Sequence, residues 1–306
     1  MPRRGEPRYD RTSRVISIAG LALSTIATLV ACLAWYGNNQ EKSILAGVKV
    51  TQLLNEAQDL IGETSLHLRS LCARPRDQDL RLEQASRKID EALRYQTLPT
   101  NYRAYCLLAD VHTYRGDYPG ALKIIDEALK SVPDEHTLHA TRGNILFRLG
   151  QFRDSANALE KALKLSSENM GYQISLGYVL HKIGESERAE RMLEGALQRD
   201  PSLVEAHLNL GDILRDRGLI DRSLFHFQRA VLLEPKDADA HGNVGYTYAI
   251  KGDLGEAVRE LQAAIDLAPH CGQYFYNMGL VQRKLGSMEV GDRFIDRAKQ
   301  LGIKVP

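Results

Sequence analysis

The sequence predicts an all-α chain, a solenoid of stacked helix pairs standing behind one membrane-spanning helix, and three observations carry that expectation. Six consecutive segments of 34 residues share one frame from residue 102 to residue 305. Small residues return at fixed offsets within every frame. From Val15 to Tyr36 there are 22 consecutive residues without a charge.

As a helix, residues 15–36 reach roughly 33 Å, against a hydrocarbon core of about 30 Å. Arg3, Arg4, Arg8, Arg11 and Arg14 precede the span, and only Lys42 and Lys49 follow it closely. The more basic flank stays in the cytoplasm. Residues 1–14 are therefore expected inside, with residues 15–36 as a single transmembrane signal anchor. The rest of the chain is extracytoplasmic, or periplasmic in a bacterium. An alternative tether is spelled by Leu29-Val30-Ala31-Cys32, which resembles the lipobox of bacterial lipoproteins and would leave a lipid on Cys32. Leu33 and Ala34 continue the apolar run, and Trp35-Tyr36 end it as interfacial aromatics do, which favours the uncleaved anchor.

Charged residues make up 26% of the chain and hydrophobic residues 43%, which suits a folded protein. The net charge is +1, and the basic arm at residues 1–14 accounts for it, so the remainder is slightly acidic. A clustered basic face is missing, and binding to nucleic acid is not expected.

Residues 37–101 read as a helical stalk and a degenerate repeat. Val50, Leu54, Ala57, Ile61, Thr64, Leu68 and Leu71 alternate by four and three. That seam is either a lengthened first helix packed on a second around Ala85 and Ala92, or a dimerising stalk.

The six frames run 102–135, 136–169, 170–203, 204–237, 238–271 and 272–305. The eighth position is Ala109, Gly143, Gly177, Gly211, Gly245 and Gly279; the fifteenth is glycine in all six. The twentieth is always small and the twenty-seventh always alanine, whereas the twenty-fourth is large: Ile125, Leu159, Leu193, Phe227, Leu261, Ile295. Two antiparallel helices per frame explain these choices. A left-handed glycine ends the first helix, small residues sit at the crossings, and one bulky residue fills the space beside them. Pro133, Pro201, Pro235 and Pro269 close second helices.

On these residues the chain resembles the tetratricopeptide repeat family over two-thirds of its length. The resemblance implies a right-handed superhelix with a concave groove. It departs at Arg142, where a large aliphatic residue is usual, and at Ser167 and Ile303, which replace the closing proline.

Stacking spends residues 102–305 on the solenoid and leaves no length for a catalytic domain, so a non-enzymatic protein without cofactor is expected. His139, His207 and His241 recur at the fourth position, but equivalent positions of stacked helices lie roughly 10 Å apart. Zinc holds its ligand atoms at about 2 Å from one centre, so no metal site is expected. Cys32, Cys72, Cys106 and Cys271 show no C-x-x-C spacing, although Cys72 and Cys106 could meet.

In the family the second, fifth, ninth, twelfth and thirteenth positions face the groove. The resemblance extends to the asparagine ladder of the O-linked N-acetylglucosamine transferase repeats, through Asn209, Asn243 and Asn277 at the sixth position. Asparagine both donates and accepts, so such a ladder can hold an extended peptide backbone. Around it are expected Tyr178, His181, Lys182, Leu208, Asp212, Arg215, Tyr246, Tyr276, Leu280 and Arg283. At the C-terminal end Met288, Val290, Phe294, Ile295, Leu301 and Ile303 cannot all face the preceding repeat, which predicts an exposed apolar end that docks on a partner or another copy. The function these features imply is a membrane-anchored scaffold whose groove binds a protein or peptide, in assembly of an envelope or secretion complex. The alternatives are a self-assembling, homo-oligomeric scaffold or the accessory recognition subunit of an enzyme.

Overall fold

A computed structural model describes residues 46–61, 78–95 and 102–304. The expected span at 15–36, the lipobox at Cys32, Cys72 and the seam residues Thr64, Leu68 and Leu71 lie outside the described residues. No helix among those described is long and apolar enough to cross a membrane.

The described residues form helices and no strand. Helix α1 covers 46–61 and α2 covers Gln78–Tyr95; α3 (Tyr102–Tyr114) and α4 (Tyr118–Ser131) form the first full pair. Then come α5 (His136–Arg148), α6 (Phe152–Leu165), α7 (Met170–Lys182), α8 (Ser186–Arg199), α9 (Val204–Asp216) and α10 (Ile220–Leu233). The last four are α11 (Ala238–Lys251), α12 (Leu254–Leu267), α13 (Gly272–Lys284) and α14 (Met288–Gln300).

Between the two helices of every pair, the fifteenth-position glycine takes φ between +76° and +98°, a region in which a Cβ meets the backbone. The helices start on side-chain caps where the sequence offers them. Asp117 accepts the amide of Gly120 at 3.0 Å, Asn169 that of Tyr172 at 3.1 Å, and Asp237 those of Asp239 and Ala240.

The crossing inside each pair shows why the eighth position stays small. A Cβ added at Gly211 would lie 2.6 Å from the Phe227 ring, and one at Gly143 would lie 2.7 Å from Leu159 Cγ. The twenty-fourth residue therefore occupies the volume that a side chain at the eighth would need. The twentieth position adds polarity where it is serine: Ser155 donates to the carbonyl of Gly143 at 2.7 Å, and Ser223 to that of Gly211 at 2.8 Å. All six alanines at the twenty-seventh position are fully buried.

The recurrent histidines take a structural role. His139, His207 and His241 each direct Nε2 at the carbonyl of the proline that closes the preceding turn, Pro133, Pro201 or Pro235, at 2.8, 3.1 and 3.2 Å. A carbonyl only accepts, so Nε2 carries the proton. Arg142 keeps its place by pairing with Asp126 of the previous repeat at 2.8 Å.

Before the first full pair, Val50, Leu54, Ala57 and Ile61 of α1 are buried in one cluster with Leu82, Ala85, Ile89 and Ala92 of α2 and with α3. Lys88 on α2 bonds Glu56 on α1. The described part of the seam thus faces its own chain, not a second copy.

The first helices of successive repeats touch, α3 with α5, α5 with α7, α7 with α9 and α11 with α13. That row is the inner, concave side. Contact between α9 and α11 is slighter, and Arg215 of α9 bridges the two helices to Asn243.

At the C-terminal end the apolar surface is smaller than the sequence suggests. Ile295 is buried, Phe294 packs on Phe275 with ring centroids 6.3 Å apart, and Leu301 and Ile303 close over Gly272. Leu285, Met288 and Val290 remain exposed.

Candidate functional site

The concave side holds a groove of about 1060 Å³ built on α7, α9 and α11 and on the turns that lead into α9 and α11. Helical spacing decides its lining. Gly171, Ile174, Tyr178 and Lys182 of the third repeat occupy the second, fifth, ninth and thirteenth positions, and successive steps of three or four set them on one stripe. Glu205, Leu208, Asp212 and Arg215 line it from the second, fifth, ninth and twelfth positions of the fourth repeat, and Asp239 and Asn243 from the second and sixth of the fifth. Leu203 and the turn Glu234-Pro235-Lys236-Asp237 contribute from the connections.

Arg215 organises the groove. Its guanidinium donates to Asp212 at 2.7 Å and to Asn243 Oδ1 at 3.0 Å, and it lies 5.2 Å from the ring centroids of both Phe227 and Tyr246. An arginine so held between two rings is a wedge between α9 and α11, and its charge is already neutralised. Lys182 is the freer cation, with its ammonium 5.0 Å from the centre of the Tyr178 ring.

The groove is closed on the fifth and sixth repeats by one substitution. Gly242 stands at a fifth position where Ile174 and Leu208 line the groove. A Cβ there would lie 2.5 Å from the ring of Tyr274. Tyr274 fills that space, fully buried, and donates its hydroxyl to Asp239. Burial pushes its ionisation far above the usual phenol range.

The residues expected at the site therefore separate. Tyr178, Asp212, Arg215 and Asn243 line the groove together, with Lys182 and Leu208. Tyr246 is exposed and stacks on Arg215. Asn209 lies beneath the lining, only 2% exposed, with Oδ1 lacking a hydrogen-bond partner. Asn277 accepts from Gln273 at 3.0 Å, so the three asparagines occupy three different environments. Tyr276 is half-buried on α13 and outside this lining. His181 is held between Ser186 at 3.0 Å and Asp216 at 2.9 Å, and Arg283 turns onto Asp292 at 2.8 Å. Neither faces the groove. Glu205 and Asp239 sit at a position already known to face inward, and residue type alone did not single them out. Lys236 and Pro235 come from turns, on which the frame puts no inward or outward label.

Two further groups bear on pairing and charge. Cys106 is a free thiol, buried and pushed up to about 12 by that burial, and Cys72 lies outside the described residues. Nδ1 of His207 lies 3.0 Å from Nδ1 of His226, and one proton must serve both. Burial first, then His207 and Arg222, pull His226 down to about 4.

The sequence profile of the tetratricopeptide repeat matches residues 78–136, 141–202, 182–231 and 208–270, more than half of the chain. The chain belongs to the tetratricopeptide repeat family. Among solved structures it is similar to a tetratricopeptide repeat protein from Parabacteroides merdae, with a TM-score of 0.62 and 17% identity over 84% of this chain and 94% of that one. A second likeness is PilW, described as a widely conserved type IV pilus biogenesis factor, with a TM-score of 0.60 and 18% identity over 66% of this chain and 94% of that one. A third is the Cut9–Hcn1 hetero-tetramer of the APC/C, with a TM-score of 0.61 and 15% identity over 72% of this chain and 43% of that one. At these identities the likeness is one of fold. No curated protein matches the sequence.

Proposed function

We propose that the protein is a membrane-tethered, non-catalytic adaptor whose concave groove across the third to fifth repeats holds an extended segment of another protein. The observation that carries this reading is the groove itself. It is about 1060 Å³ and combines apolar walls at Ile174, Tyr178 and Leu208 with polar groups at Asp212, Asn243 and Lys182. A groove of that composition can anchor side chains and fix a backbone at once.

Residues 15–36 supply the tether in this reading, with residues 1–14 in the cytoplasm and the repeats on the far side, where assembly of an envelope or secretion complex is the proposed setting. Tethering confines the groove to the membrane surface and raises its local concentration there. A lipid on Cys32 is the alternative anchor for the same domain. Cysteine-accessibility labelling of intact cells, with single cysteines placed at Ser13 and at Lys123, tests the topology. Labelling of the second alone by an impermeant reagent is expected, and labelling of the first alone would reverse the orientation.

Self-assembly has a weaker basis. The described part of the α1 seam is buried against α2 and α3, and at the C-terminal end Leu285, Met288 and Val290 are the exposed apolar side chains that could serve it. A single monomeric mass by light scattering at high protein concentration is the expected result.

A further inference from the structure

We infer that the groove takes an uncharged, extended segment of a partner protein that carries two aliphatic side chains three residues apart. The inference rests on the groove reading above and adds the chemistry of the occupant. The charged groups of the lining are engaged within the chain. Glu205, Asp212 and Asp239 all have partners. Asp212 takes Arg215 at 2.7 Å, and Asp239 accepts the hydroxyl of Tyr274. Asp237 caps α11 through the amides of Asp239 and Ala240. The ammonium of Lys182 lies 5.0 Å from the centre of the Tyr178 ring, and Glu234 and Lys236 stand exposed together on one turn. A charged side chain entering the groove would give up water and find its counter-charge taken, which costs affinity.

What the groove offers an occupant is apolar wall and one amide. Ile174, Tyr178, Leu203 and Leu208 supply the wall. Ile174 and Leu208 hold the fifth positions of α7 and α9, two helices in contact, so their rows lie roughly 10 Å apart as packed helices do. A chain in polyproline II conformation returns a side chain to the same face every third residue, about 9 Å along, and this sets the spacing of the two aliphatic groups. The amide is that of Asn243. A guanidinium only donates, so the bond from Arg215 to Asn243 Oδ1 at 3.0 Å fixes which way the amide is turned. Its NH2 is the end that can donate to a carbonyl of the occupant. A backbone in this conformation makes no hydrogen bonds of its own and has that carbonyl to offer.

The test uses the full chain in lipid nanodiscs and fluorescein-labelled nonapeptides in a glycine-serine background, read by anisotropy against empty nanodiscs. One peptide carries two leucines three residues apart. In the second both leucines are glutamate, in the third both are arginine, and in the fourth the two leucines are adjacent. A further probe is the chain's own residues 283–291. The spaced-leucine peptide is expected to bind about ten times more tightly than the other three, and to change less than about twofold between about 0.05 and about 0.5 M salt. It is expected to lose about fivefold or more in Asn243→Asp, which keeps an acceptor for Arg215 and removes the NH2. Equal or tighter binding of the glutamate, arginine or adjacent-leucine peptide, indifference to Asn243→Asp, or no binding of the spaced-leucine peptide overturns the inference. Tighter binding of residues 283–291 would overturn the assignment to a partner and give the groove to a second copy. Gly171→Trp separates this inference from the groove reading, because it fills the groove where a Cβ meets only Asn169 Oδ1, at 3.2 Å. Glutamate- or arginine-peptide binding that Gly171→Trp abolishes keeps the groove and removes the apolar preference. Spaced-leucine binding that survives Gly171→Trp removes the groove.

Discussion

The first and fourth repeats carry aspartate at the same ninth position, and the two side chains live in different chemical states. Asp212 pairs with Arg215, three residues on, at 2.7 Å, and lines the groove. Asp110 has Thr113 in place of that arginine, with the threonine hydroxyl buried and unpaired, and burial pushes the Asp110 carboxyl up to about 7. The helix crossings of the two repeats differ in a complementary way. The first packs Ile125 beside Ala109, and the fourth packs Phe227 beside Gly211, where a Cβ would lie 2.6 Å from the ring. A repeat frame fixes where a side chain sits. Its neighbours three or sixteen positions away decide what it can do there.

The largest effect that would break this comparison lies at the crossing. Phe227→Ala empties a fully buried site and removes one of the two rings around Arg215. It is expected to cost about 3 to 5 kcal/mol in urea unfolding. Gly211→Ala overpacks the same crossing and is expected to cost about 1 to 3 kcal/mol. Adding Phe227→Ile to it recreates the first repeat's pairing and should recover part of that loss. A double-mutant cycle with no favourable coupling would show that the two positions do not share volume.

Smaller effects sharpen the electrostatic half. Asp110 has a folded-state pKa of about 7, raised from 3.8, so the folded chain holds a proton that the unfolded chain has released. Stability falls as pH rises through that window. Asp110→Asn is expected to add about 1 to 2 kcal/mol at pH 8 and nothing below pH 3. His226 runs the other way: its folded-state value of about 4 lies below the ordinary 6.5, so stability is lost as pH falls from 6.5 towards 4. His226→Gln should flatten that acid limb by about 1 kcal/mol, and an unchanged limb would place the lost protons elsewhere. Tyr246→Ala, at an exposed ring, should cost less than about 1 kcal/mol of stability.

The crossing was readable from sequence because it is written six times: small at the eighth, twentieth and twenty-seventh positions, large at the twenty-fourth. The groove was readable only as a set of inward positions. Tyr178, Asp212 and Arg215 came together on that rule, and Asn243 joined them from the sixth position. His181 and Arg283 obeyed the same rule and yet turned away to Asp216 and Asp292. Partners reached across the superhelix, 35 residues along the chain for His181, leave no periodic trace. Tyr274 illustrates the same limit. It plugs the groove at Gly242 because one repeat lacks a side chain where the next supplies a large one, and neither residue alone signals the fit.

The central claim is that the partner segment lies in the concave groove of the third to fifth repeats. A photo-crosslinking amino acid tests it most directly when placed in the membrane-tethered chain at Lys182, which lines the groove, and separately at Arg191 on the second helix of the same repeat. Irradiation in cells is expected to join the same partner to the Lys182 position and not to the Arg191 position. Equal adducts from both, or an adduct from Arg191 alone, would contradict the account.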